Sequence, residues 1–172
     1  MDTYIRGLFK KHKNKGAVID SNLLILYFIG NYNINLVSNF SKTKQFATEE
    51  FYFLDLVIKH FNFIATTPNV LTEVNNLSND LGQKNKPELL ELLKSGIQIF
   101  KEDYFESSSL VKDKFYTKIG LTDISIMNLA KKGFVVLTTD LTLKNILEHL
   151  NLDVVNWNNL KPYIWEYGNL IK

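Results

Sequence analysis

The amino-acid sequence predicts an α/β fold, a central parallel sheet of about five strands flanked by helices. Three features carry that expectation. Short apolar runs at 17–20, 61–66, 97–100, 134–138 and 153–156 have the length and β-branched content of buried strands. The segments between them show the three- and four-residue apolar spacing of amphipathic helices. Glycine, asparagine and proline punctuate the joins. With 172 residues, 45% of them hydrophobic, the chain suits a single domain, 1–172, whose core needs no covalent staple.

The first segment, 1–16, is a basic N-terminal arm or helix. Arg6, Lys10, Lys11, His12, Lys13 and Lys15 accompany Ile5, Leu8 and Phe9, which share one helical face and predict a docked helix. Ala17-Val18-Ile19-Asp20 reads as a buried strand ending in an acid. Ser21 and Asn22 start a helix through Leu23 to Ile29, which Gly30 and the asparagine-rich stretch to Asn39 are expected to end. Lys42 to His60 reads as a longer helix, with Phe46, Phe53, Leu54, Val57 and Ile58 on its apolar face.

Phe61 to Thr66 is the second strand. Pro68 suits the first turn of a helix over Asn69 to Leu77, and a polar loop from Asn79 to Lys86 follows. Pro87 to Lys94 is a helix closed by Gly96, Ile97 to Phe100 a third strand, and Ser107 to Lys118 an amphipathic helix. After Gly120 comes a strong helix, Leu121 to Lys132, then the clearest strand, Phe134 to Thr138. A helix from Leu141 to Leu150 and a last strand from Asp153 to Asn156 complete the pattern. An aromatic tail, 157–172, bears Trp157, Tyr163, Trp165 and Tyr167, read as packing residues.

The absence of cysteine removes disulfides, zinc–thiolate sites and thiol nucleophiles together. A net charge of only +2 means that any phosphate-binding surface must come from local clustering, for which Lys42, Lys44, Lys84 and Lys86 are the candidates. The longest apolar run, Leu23 to Ile29, is too short for a bilayer, and the N-terminus lacks a secretory signal. A cytoplasmic protein with no membrane partner is the expectation.

Four acids stand out because they sit on apolar faces. Asp20 ends the first strand, and Asp140 follows the strand that ends at Thr138. Glu73 shares a helix face with Val70 and Leu77, and Asp123 shares one with Ile126, Met127 and Ala130. In a parallel sheet the binding site lies beyond the carboxyl ends of the strands, so these acids converge on one edge. Each has a structural alternative, as a helix cap or first-turn acid. Gathered without a cation, two carboxylates ~4 Å apart repel by about 4 kcal/mol at an effective dielectric near 20. Oxygen-only ligands suit Mg²⁺ or Mn²⁺. Glu49, Glu50, Glu91 and Glu102 are read as solvated, and no metal role is assigned to His12, His60 or His149.

From 17 to 156 the sequence resembles the PIN-domain nucleases. The resemblance rests on Val18-Ile19-Asp20-Ser21-Asn22, on Thr67-Pro68-Asn69-Val70-Leu71-Thr72-Glu73, on Gly120-Leu121-Thr122-Asp123, and on Val136-Leu137-Thr138-Thr139-Asp140. It implies a Rossmann-like sheet and metal-dependent endoribonuclease activity at a four-carboxylate site. Asp20, Glu73 and Asp123 would lie nearest the Mg²⁺ or Mn²⁺, and Asp140 would act through water or a second ion. Asn22 and Thr138 would orient the acids or the bound water. RNA is the implied substrate. Many members are toxins of toxin–antitoxin pairs, so a small antitoxin protein is an implied partner and a homodimer a further one. The long stretch 31–41, the basic arm and the aromatic tail lie outside the match.

Three rivals are weighed. A non-catalytic PIN-like module binding RNA or protein would keep the fold without the chemistry. A haloacid-dehalogenase-type phosphatase needs Asp-x-Asp after the first strand, where this chain has Asp20-Ser21-Asn22. A nucleotide-binding enzyme would show a glycine-rich phosphate loop, which does not follow that strand.

Overall fold

A computed structural model describes residues 3–82 and 86–164. Lys84, Trp165 and Tyr167 lie outside the described residues. The elements, in order, are α1 (Thr3–His12), β1 (Ala17–Ile19), α2 (Ser21–Tyr32), α3 (Thr48–His60), β2 (Ile64–Thr66), α4 (Pro68–Ser78), α5 (Lys86–Ile99), β3 (Lys101–Glu102), α6 (Ser107–Leu110), α7 (Tyr116–Lys131), β4 (Val135–Thr138), α8 (Leu141–His149) and β5 (Val154–Asn156).

The fold is α/β, with a five-stranded sheet in the order β3-β2-β1-β4-β5. Every pairing is parallel, and Ala17 stands opposite both Ile64 and Val135. Helices must carry the chain back between parallel strands, so both faces of the central strands are covered. Ala17, Val18, Ile19, Val135, Val136 and Leu137 are accordingly fully buried. The chain winds outward from β1 through β2 to β3, then crosses to the other side for β4 and β5. The switch point therefore falls between β1 and β4, where such sheets open a crevice at their carboxyl edge.

The basic first segment is a docked helix. Ile5, Leu8, Phe9 and His12 are buried, Phe9 meets Phe61 edge-on, and Lys11 and His12 both reach the Asp153 carboxylate. Trp157 is a packing residue, fully buried beside Phe53. Among the described residues, no helix is long and apolar enough to cross a membrane.

Several expected boundaries move. Gly30 does not end α2, which runs on to Tyr32, and Gly96 lies inside α5, which continues to Ile99. Both glycines are contact points instead. A Cβ at Gly30 would overlap the Phe51 ring, and one at Gly96 would stand 2.6 Å from Phe28 Cε1. The expected strand at 97–100 is therefore helical up to Ile99, and β3 is only Lys101–Glu102, an exposed edge strand. The expected helix over 42–60 starts at Thr48, where Glu50 caps it by accepting from Ala47 N. The expected helix over 107–118 is two short pieces with a turn between them. At Gly120 the backbone swings to φ +77°, a conformation that favours glycine, and the acid-bearing part of α7 begins immediately after it.

The Gly30 contact gives a first prediction. Alanine normally gains about 1 kcal/mol over glycine in a helix interior. Overlap with a packed ring costs roughly 1–3 kcal/mol. Gly30→Ala should therefore lower stability in chemical denaturation, against the propensity trend. A more stable variant would show that α2 and α3 do not meet there.

Candidate active site

The carboxyl edge at the switch point is built by the β1–α2 and β4–α8 corners. Asp20 follows β1 and stays in the ladder, its N–H donating to Leu137 O at 3.0 Å. Its side chain caps α2, with Oδ1 accepting from Leu23 N at 2.8 Å. Oδ2 accepts from Thr138 Oγ1 at 2.6 Å and from Thr139 N at 2.8 Å. Thr138 is thus a relay between the corners, because its Oγ1 also accepts from Asp140 N at 2.9 Å. Burial pushes the Asp20 carboxyl above the usual carboxylate range, the bonds from Thr138, Leu23 and Thr139 pull it back, and Asp140 adds to the rise.

Asp140 is exposed and caps α8, accepting from Leu143 N at 2.8 Å. Both strand-end acids therefore have the capping role that the sequence allows. They sit at positive helix ends, which offsets part of their mutual repulsion.

The other two acids come from α4 and α7, which pack against each other. Thr67 caps α4, and its Oγ1 lies 2.8 Å from Ser125 Oγ on α7. Ser125 also donates to Thr122 O at 2.7 Å. This buried pair fixes the start of α4 against α7, so Glu73 and Asp123, both half-buried, line one cleft of about 590 Å³ with Asn69, Thr72 and Asn76. Thr67 and Ser125 were not singled out in the sequence. Thr67 had a legible signal, a threonine before Pro68 at a helix start, whereas Ser125 had none.

Asp123 is where the four acids meet electrostatically. Burial, then the charges of Asp140, Asp20 and Glu73, push its carboxyl up to about 7. Among the described residues, none of the groups acting on it is cationic. Even so, among the described residues no three His, Cys, Asp or Glu side chains are drawn together tightly enough to hold one ion. Two buried hydroxyls that follow or end strands at this edge, Ser21 Oγ and Thr66 Oγ1, have no hydrogen-bond partner among the described residues.

Asn22, expected to support the acids, is exposed. It lines a second cleft of about 400 Å³ with Gln45, Phe46, Thr139, Asp140, Asn158 and Lys161. Of the candidate phosphate-binding lysines, Lys42 pairs with Asp80 at 2.9 Å, Lys44 is exposed and Lys86 begins α5. Glu50 departs from the solvated reading: it is 5% exposed and accepts from Trp157 Nε1 at 3.0 Å.

No family model and no curated protein sequence matches the chain.

Proposed function

We propose that the protein is a metal-dependent endoribonuclease of the PIN type, hydrolysing RNA phosphodiester bonds at Asp20, Glu73, Asp123 and Asp140. The observation that carries this reading is the convergence of the charges of Asp140, Asp20 and Glu73 on Asp123 at the carboxyl edge of a parallel sheet, with no cation among the described groups that act on it. The all-oxygen donor set and its charge fit a hard ion such as Mg²⁺ or Mn²⁺. Asp20, Glu73 and Asp123 would lie nearest the metal, with Asp140 acting through water or a second ion, and the metal when bound would supply Lewis acidity and water activation.

The chain's own groups do the positioning. Thr138 and Thr139 hold Asp20, while the Thr67–Ser125 pair keeps Glu73 across from Asp123. The open cleft beside Glu73 leaves room for a single strand to approach. RNA rather than DNA follows the resemblance to PIN nucleases.

A second reading, a non-catalytic PIN-like module that binds RNA or protein, draws support from the caps that Asp20 and Asp140 supply to α2 and α8. Incubation of the purified protein with labelled single-stranded RNA separates the two. The nuclease reading expects internal cuts with Mg²⁺ or Mn²⁺, 5′-phosphate and 3′-hydroxyl ends, and no cutting in excess chelator. Binding without cutting under every metal condition supports the module, and 2′,3′-cyclic ends or chelator-resistant cutting overturn the proposed chemistry.

A further inference from the structure

The second cleft is walled by two segments that lie outside the acid-bearing elements. Gln45 and Phe46 belong to the turns before α3, and Asn158 and Lys161 follow β5. Glu50 ties these segments together. Its Oε2 accepts from Ala47 N at 2.9 Å, and its Oε1 accepts from Trp157 Nε1 at 3.0 Å and lies 3.6 Å from Lys161 Nζ. Glu50 and Trp157 are both buried, so the two walls are held in place before any ligand arrives.

The chemistry of the lining selects the ligand. Asn22, Gln45 and Asn158 are exposed amides, each offering a donor and an acceptor side by side. Thr139 adds a hydroxyl. Among the described residues the one cation lining it, Lys161, already faces Glu50, and Asp140 contributes a negative charge. An anion is therefore poorly matched, whereas a neutral planar group with mixed donors and acceptors is well matched. Unpaired RNA bases present such edges, and proteins read them by hydrogen bonding. A cleft of about 400 Å³ lies in the range of small-ligand sites.

We propose that this cleft is a base-reading subsite, in which Asn22, Gln45 and Asn158 bind one unpaired nucleobase of single-stranded RNA next to the bond at the carboxylates. The position of the cut bond rests on the nuclease reading, but recognition of the base does not.

The test uses the full-length ¹⁵N-labelled protein. AMP, GMP, CMP and UMP are titrated separately to millimolar concentration, with ribose 5-phosphate as a base-free control, and the side-chain amide resonances of Gln45 and Asn158 are followed. At least one nucleotide should move both resonances while ribose 5-phosphate moves neither. In Gln45→Ala and Asn158→Ala, each read through the remaining amide, affinity should fall about tenfold, the loss of one good hydrogen bond. On mixed-sequence RNA both substitutions should shift the base preference at the cut. The proposal is overturned if no nucleotide moves the amides, or if ribose 5-phosphate moves them equally. If one base binds here but the parent cuts no RNA, the nuclease reading fails and the subsite stands.

Discussion

Asp123→Asn is expected to reduce RNA cleavage by at least about a hundredfold and at the same time to stabilise the metal-free protein above neutral pH. The two effects share one cause. Burial and the charges of Asp140, Asp20 and Glu73 raise the folded-state pKa of Asp123 from 3.8 to about 7. Between those values the folded protein keeps a proton that the unfolded chain has released. Stability therefore falls as pH rises through that window, and the penalty is complete above about pH 7.

Linkage makes the penalty about 2–4 kcal/mol, and asparagine removes it while keeping the shape of the side chain. Urea denaturation in chelator should show the variant gaining on the parent at pH 8 and little or nothing at pH 4. Millimolar Mn²⁺ should raise the melting temperature of the parent by mass action and that of the variant far less. A variant equally destabilised at both pH values, with cleavage intact, would make Asp123 a structural acid and remove it from the site.

Glu50→Ala should cost about 3 kcal/mol of stability, a large share of what a domain this size commands. The substitution takes away the capping bond to Ala47 N, worth ~1 kcal/mol. It also strands the buried Trp157 Nε1 donor, which costs roughly 1–3 kcal/mol. Glu50→Gln keeps an oxygen for one of these donors and should lose about half as much. Because Glu50 joins the walls of the second cleft, the glutamine variant should also discriminate less between nucleotides in the titration proposed for that cleft. A loss below ~1 kcal/mol for alanine would mean that the carboxylate is not the tie the geometry describes.

Much of this protein was legible in its sequence. Strands buried on both faces read as unbroken apolar runs, so β1 and β4 could be placed to within a residue, and their alternation with helices implied a parallel sheet. The acids were legible for the same reason. Asp20 and Asp140 interrupt or follow those runs, and Glu73 and Asp123 fall on inward helix stripes, where burying a charge is costly enough to be conspicuous.

Only the tertiary structure decided the rest, because each decision depended on a partner distant in the chain. Gly30 and Gly96 carry the local signature of helix ends, but rings from α3 and α2 pack against them, and the helices continue. Glu50 carries the local signature of a solvated acid, yet its partner Trp157 lies 107 positions away. The adjacency of the Asp20 and Asp140 corners is set by the crossing of the chain from β3 to β4. Local periodicity reports which residues are buried. It does not report which buried residues meet, since that is fixed by strand order and by the side chains that arrive from other elements.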